Sequence, residues 1–180
     1  MIGSWRRRGV TALLLVFIAT GLSGCGYNNI PRLDEQVKAA WSEVLNQYKR
    51  RADLVPNLVE TVKGFAAQEK SVLTEVTQAR ASASQVKIPD DILSNPQAFQ
   101  QFQAAQAQLG GALGRLLVTV EKYPNLKANE NFLALQSQLE GTENRIAVAR
   151  RDYIQAVQAY NTELRTIPGR WWAALLYPDA

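Results

Sequence analysis

Apolar residues recur at alternating spacings of three and four along four segments of the chain, the period of amphipathic helices that pack side by side. The clearest run consists of Phe132, Leu135, Leu139, Thr142, Ile146, Ala149, Tyr153, Ala156 and Tyr160. The run before it consists of Phe99, Phe102, Gln106, Leu109, Leu113, Leu116, Val120 and Tyr123. Two earlier runs consist of Val37, Trp41, Val44 and Tyr48, and of Val55, Leu58, Val62, Phe65, Val72 and Val76. The pattern predicts an all-α protein, an up-and-down antiparallel four-helix bundle.

The connections are predicted where helix breakers cluster. Pro89 and Pro96 lie between the second and third helices, with Asn95 as a candidate N-cap. Pro124 lies between the third and fourth helices, with Asn129 as a candidate N-cap. The fourth helix is expected to end near Thr166, just before the sequence IPGR.

The stretch RRADLVPNLVETVKGF, residues 50–65, places a proline within an apolar helix period. One helix over residues 32–86 would be about 80 Å long and would overhang its neighbours. We therefore predict a helix boundary at residues 51–53, with Asp53 as N-cap and Pro56 in the first turn. A continuous, kinked helix is the alternative, because the apolar spacing runs through Pro56 with little change of phase.

The N-terminus has the layout of a bacterial export signal. Arg6, Arg7 and Arg8 precede an apolar stretch at residues 10–22, which is shorter than the ~20 residues of a membrane span. The sequence LSGC that follows resembles the lipobox of bacterial lipoproteins. We therefore predict a signal peptide at residues 1–24 and a lipidated Cys25, on the non-cytoplasmic side and at the outer membrane if the organism has one. An uncleaved single-pass anchor in the inner membrane is the alternative.

Composition narrows the chemistry that the chain can perform. There is no His and only one Cys, which removes the commonest general base, the commonest metal ligand and any intramolecular disulfide. Removing the three N-terminal arginines from the 20 basic residues leaves 17, against 16 acidic residues. A nucleic-acid-binding domain is usually much more basic. We expect no nucleic-acid partner, no cofactor and no metal.

Two blocks of the sequence, DLVPNLV at residues 53–59 and LEGTENRI at residues 139–146, resemble the LemA family. The similarity covers residues 30–168. The resemblance implies a four-helix bundle, and an N-terminal membrane anchor as in many members. It supplies no established enzymatic activity and no catalytic residues. The tail departs from the usual family pattern: members often end in apolar and aromatic residues after Phe-Pro, whereas here the sequence from Ile167 is IPGRWWAALLYP.

Two sets of side chains are candidate sites. The first is a polar cluster, for binding or for fixing helix register: Arg51, Asp53, Asn57, Glu60, Glu143, Asn144 and Arg145. We expect Arg145 to pair with a carboxylate of a facing helix. The second is an amphipathic aromatic tail that either lies at a membrane interface or packs onto an open end of the bundle: Arg170, Trp171, Trp172, Leu175, Leu176 and Tyr177.

These features favour a membrane-tethered, non-catalytic scaffold or adaptor that engages unidentified envelope proteins. The alternative is a bundle that binds a peptide or small ligand in an apolar groove lined by Phe99, Phe102 or Trp41. A hydrolase using Asp53, Glu60 or Glu143 ranks last, because it would need two carboxylates that converge in one cleft.

Overall fold

A computed structural model describes residues 28–86, 88–89, 92–93 and 95–177, and this part of the chain is all-helical, without a strand. The signal segment and Cys25 lie outside the described residues. Six helices follow one another: α1 (Asn29–Phe65), α2 (Lys70–Gln85), α3 (Pro96–Val120), α4 (Pro124–Lys127), α5 (Glu130–Arg165) and α6 (Gly169–Leu176). The all-α prediction is confirmed.

The larger of two compact units comprises residues 42–150. The four long helices contribute to one apolar core in this unit, joined by Leu126 of α4. Its largest fully buried side chains are those of Val44, Val55, Leu58, Val62, Val76, Leu109, Leu116, Val120, Leu126 and Phe132. These residues fall on the predicted apolar runs, except Leu126.

The smaller unit comprises residues up to 41 and from 151 onward, of which 28–41 and 151–177 are described. Ile30, Leu33, Val37 and Trp41 are buried in it, and the Trp41 and Tyr153 rings lie 5.3 Å apart between centroids. The predicted helical period therefore forms buried contacts here too.

The predicted connections are confirmed in their positions. The Asn95 side chain accepts a hydrogen bond from the Ala98 N–H at 3.1 Å, and Asn129 does the same for Phe132 at 3.1 Å. Both are N-caps of the expected kind. Helix α5 ends at Arg165, one residue before the predicted end. The short helix α4 within the second connection was not predicted.

The predicted helix boundary at residues 51–53 is wrong. Helix α1 continues through Pro56 to Phe65, and the alternative of a continuous helix is the observed one. Pro56 lacks the N–H that would bind the carbonyl oxygen of Ala52. Arg80 of α2 replaces that donor, because its Nε donates to the same oxygen at 3.0 Å. Asp53 is consequently an exposed mid-helix residue, and not a cap.

A single helix over residues 32–86 would overhang its neighbours, and the interruption that prevents this occurs at residues 66–69, after Phe65. Helix α1 then has 37 residues and α5 has 36, so both are about 55 Å long. The turn is held from outside α1, because the Tyr123 hydroxyl donates to Glu69 at 2.7 Å and accepts from Gln68 at 3.1 Å. Phe65, expected to be buried, is 44% exposed, because Ala66 takes the buried position at this end.

The glycines inside α1, α3 and α5 do not mark close approaches between backbones. A Cβ built on Gly64 or Gly114 would meet no atom within 4 Å, and one on Gly110 would lie 3.6 Å from Nη1 of Arg51. The neighbour of Gly110 is thus a side chain.

Candidate functional site

The buried guanidinium of Arg51 is the centre of the polar contacts inside the larger unit. Arg51 is 4% exposed, although it carries a charge. Its Nη1 donates to Oε1 of Glu143 in α5 at 2.8 Å. Its Nη2 donates to the backbone oxygen and to Oε1 of Gln106 in α3, each at 2.9 Å. One side chain of α1 therefore joins three helices by charge-assisted hydrogen bonds.

The surroundings of Arg51 are only partly polar. The guanidinium carbon lies 5.0 Å from the centroid of the Tyr48 ring, within the range of a cation–π interaction. Its Nε is buried without a hydrogen-bond partner among the described residues. Glu143 keeps 47% of its side chain exposed, so water reaches one end of the ion pair. Removing the carboxylate would leave a buried charge, which is costly.

The structure brings together two members of the predicted polar cluster, Arg51 and Glu143. The others are exposed: Asp53, Asn57, Glu60, Asn144 and Arg145. The cross-helix pair that we expected for Arg145 is instead made by Arg51, and no ion pair of Arg145 occurs among the described residues. The carboxylates of Asp53, Glu60 and Glu143 likewise do not converge in one cleft. Glu60 lies 3.8 Å from Lys63, and Glu143 binds Arg51.

Asn57 and Glu60 line an open groove between α1 and α5. The groove encloses about 430 Å³, and its other lining residues are Thr61, Asn131, Ala134, Leu135 and Gln138. Side-chain amides, a hydroxyl and one carboxylate dominate it. This surface offers both donors and acceptors to a partner.

A cleft of about 440 Å³ lies between α1, α3 and the end of α2. Phe102, which we expected in a groove, lines it, whereas Phe99 and Trp41 do not. The rings of Phe102 and Tyr48 meet edge to face with centroids 5.4 Å apart. The cleft has the size of small-molecule pockets in proteins.

Three residues with specific roles were missed: Tyr48 as a partner of the guanidinium, Gln106 as its acceptor, and Arg80 as the donor to Ala52. A signal existed for Gln106, because it is a polar residue at an apolar-run position. Arg51, which was among the predicted residues, carries the same signal, because it continues the alternation from Tyr48 to Val55. Nothing near Arg80 in the sequence points to its role.

In the smaller unit, the aromatic tail forms α6. Trp171 is 60% and Leu175 is 72% exposed, and Arg170 and Leu176 are exposed as well. Trp172 and Tyr177 are half-buried. The exposed side chains could meet an apolar surface, while the half-buried ones face protein.

In the part of the chain that the structure describes, no helix combines the length and the apolarity needed to cross a bilayer. Within the same ranges, no three Asp, Glu, Cys or His side chains come close enough to hold a metal ion.

The fold and the Arg51 contacts define an all-α protein in which long amphipathic helices are cross-linked by a buried, ion-paired arginine. The profile of the LemA family matches residues 40–178. The chain belongs to the LemA family, in agreement with the resemblance seen in the sequence.

Individual relatives are more distant. Magnetosome protein MamQ 2 of Paramagnetospirillum magneticum is 27% identical over 89% of this chain and 64% of its own length. Magnetosome protein MamQ of Magnetospirillum gryphiswaldense is 25% identical over 90% of this chain and 65% of its own length. Protein LemA of Metamycoplasma hominis is 22% identical over 77% of this chain and 59% of its own length. The chain thus spans less than two thirds of the length of these relatives.

Proposed function

We propose that the protein is a non-catalytic helical scaffold or adaptor of the bacterial envelope, tethered to a membrane by a lipid on Cys25. The observation that carries this proposal is that the buried, charged side chain of Arg51 bonds to neighbouring helices. Its bonds to Glu143 and Gln106 hold helices together, and the guanidinium is buried, so it is not exposed to a substrate in solution. Membership of the LemA family, which supplies no established catalytic residues, supports the proposal.

The arrangement of helices that we propose is an up-and-down antiparallel four-helix bundle. Arg51 of α1 contacts Glu143 of α5, and Thr61 further along α1 shares a groove with Asn131. Residue numbers therefore rise along one helix where they fall along the other, as in antiparallel neighbours. Spin-label distances between exposed positions of α1 and α5 should follow the same order, and the reverse order would contradict the bundle.

The tether is tested on Cys25. In the native host, wild-type chain should incorporate a labelled acyl chain and sediment with membranes. The Cys25→Ser variant should carry no label and should keep an uncleaved signal segment. An equally labelled variant would place the lipid elsewhere, and unlabelled wild type would favour the single-pass anchor.

The tail is proposed as a second membrane contact. Deleting residues 169–180 from a chain that lacks residues 1–25 should weaken its association with anionic liposomes, because Trp171 and Leu175 are exposed and suited to the interface. The thermal midpoint should change little. Unchanged association together with a lowered midpoint would assign the tail to packing.

The adaptor role is tested at the groove of Asn57 and Glu60. Crosslinking in the intact envelope should join the wild-type chain to another envelope protein. Replacing both residues by Ala should remove the crosslinked species without changing the melting temperature, since both are exposed. The matched control replaces Gln100 and Gln103, which are exposed on α3 and do not line the groove.

If the crosslinked species is lost both in the groove variant and in the control variant, the groove has no particular role in binding the partner. A wild-type chain that crosslinks to nothing would contradict the adaptor function itself.

A further inference from the structure

The cleft between α1, α2 and α3 has the composition of a ligand site and not of a packing defect. Its walls include Leu45, Tyr48, Ala52, Val86 and Phe102. Phe102 is 3% exposed, so the cleft reaches the apolar interior of the larger unit. An apolar wall with a few placed polar groups is typical of small-molecule sites.

Gln106 supplies a buried polar group to this cleft. It lines the cleft and is 7% exposed. Arg51 can only donate hydrogen bonds, so the side-chain atom that it contacts must be the amide oxygen of Gln106. The other end of the amide is then the NH₂ group.

That NH₂ group has no hydrogen-bond acceptor among the described residues. It is also not sealed from solvent, in contrast to Nε of Arg51. Two N–H donors, held in orientation by the bond to Arg51, are therefore available to a molecule in the cleft. A carbonyl oxygen is the acceptor that matches them.

The rim of the cleft favours a ligand without net charge. Lys49 and Asp53 both line it and both are exposed. An anionic ligand would gain from Lys49 and lose from Asp53, and a cationic ligand would do the opposite. A neutral molecule is penalised by neither residue.

We propose that this cleft binds a small neutral molecule that has an apolar body and a carbonyl oxygen, such as an amide or ester. The apolar body lies against Phe102 and Tyr48, and the carbonyl oxygen accepts from Nε2 of Gln106. This binding function goes beyond the scaffold role and does not depend on it.

The test compares two probes with the same apolar body, 4-phenylbutanamide and 4-phenylbutylammonium. Binding to the full chain in lipid nanodiscs is measured by saturation-transfer NMR, with empty nanodiscs as the blank. The amide should bind at least tenfold more tightly than the ammonium compound. Gln106→Glu keeps an oxygen for Arg51 but removes the NH₂ group, so it should weaken amide binding at least tenfold and favour the ammonium compound.

A second pair of variants separates the cleft from the rest of the surface. Ser84→Trp should abolish binding of the amide, because Ser84 is exposed and lines the cleft. Ser82→Trp is the matched control on the same helix, exposed but outside the cleft, and should bind as wild type does. Melting curves confirm that all variants fold.

The proposal is overturned if the folded wild-type chain binds neither probe. It is equally overturned if folded Gln106→Glu retains the wild-type preference for the amide, or if the two tryptophan variants lose binding to the same extent. These results do not bear on the crosslinking tests of the scaffold, so either function can fail alone.

Discussion

The hydrogen bond from Arg80 to the backbone of Ala52 predicts a thermodynamic coupling between Arg80 and Pro56, two residues that are far apart in sequence. Pro56 removes the N–H that would have bound the Ala52 carbonyl oxygen, and Arg80 supplies a replacement at 3.0 Å. Replacing Arg80 by Met keeps most of the apolar stem of the side chain and removes the donor. The Ala52 carbonyl, which belongs to a residue only 9% exposed, then loses its partner.

The expected magnitude follows from the chemistry of that bond. An orphaned buried acceptor costs about 1–3 kcal/mol, and a bond to a charged donor lies within the same range. We therefore expect Arg80→Met to lower the free energy of unfolding by about 1–3 kcal/mol. In a Pro56→Ala background the backbone N–H that the substitution restores can bind the same oxygen, and the loss should fall below about 1 kcal/mol. The coupling energy should thus be on the order of 1–2 kcal/mol.

The assay is a double-mutant cycle by urea unfolding, on Arg80→Met and Pro56→Ala alone and together. The matched control replaces Arg115, which pairs with Glu75 between α2 and α3 with both side chains substantially exposed. Exposed pairs contribute about 0–1 kcal/mol, and Arg115→Met should not couple to Pro56→Ala.

Two results would contradict the predicted coupling between Arg80 and Pro56. The first is additivity of Arg80→Met and Pro56→Ala within about 0.5 kcal/mol, which is the behaviour of independent sites. The second is an equal coupling of Arg115→Met to Pro56→Ala, which would point to a general effect of the proline on the packing of α2.

Three further predictions concern other contacts. Glu143→Leu should destabilise the protein more than Arg51→Met, because it leaves the buried guanidinium without its carboxylate. The loss of unfolding free energy should lie somewhat below about 3–5 kcal/mol, since Glu143 is half exposed. Equal losses for the two variants in urea unfolding would contradict this. The hydrogen bond to Glu69, then burial and the Glu69 charge, raise the pKa of Tyr123. The protonated Tyr123 hydroxyl therefore stabilises the fold fully at pH values below the ordinary tyrosine pKa, and this stabilisation is lost as the pH rises through the raised pKa. Ultraviolet titration should show a tyrosine that ionises at lower pH in Glu69→Gln, and an unchanged curve would exclude the bond. Gly114→Ala should raise the free energy of unfolding by about 0.5–1 kcal/mol, because the site is open and helical; a decrease would reveal a contact there.

The helices could be predicted because their signals are local. All members of the run from Phe132 to Tyr160 are buried or half-buried in α5, and Asn95 and Asn129 cap helices through bonds that span only three residues. The continuity of α1 could not be predicted from local rules, which place a break at Pro56. The donor that permits it lies 28 residues away from the carbonyl, on a different helix.

The polar site was predicted only in part for a related reason. Arg51 and Glu143 are 92 residues apart, and the sequence offers several other carboxylates that could have faced the arginine. The position of Arg51 within the apolar period shows that it faces inward, but not which side chains meet it. Its other hydrogen-bond partner, Gln106, contributes a backbone oxygen as well, and no residue pattern encodes such a contact.

The contacts of Arg51 with Gln106 and Glu143 also explain how the long apolar runs of these helices specify a single packing register. A heptad-like run of Leu, Val and Ala can slide past a neighbouring helix by one turn, about 5.4 Å, and still bury apolar side chains. Such a slip would carry the Arg51 guanidinium away from Gln106 and Glu143, which it now contacts at 2.8–2.9 Å. The charge would remain buried without a partner, and the cost of several kcal/mol exceeds what most single apolar contacts could restore. We infer that the arginine contributes little net stability and selects one register among several. Arg51→Met should therefore keep the helix content and lose the single set of sharp side-chain NMR signals that a unique register gives, and retention of sharp signals would contradict this role.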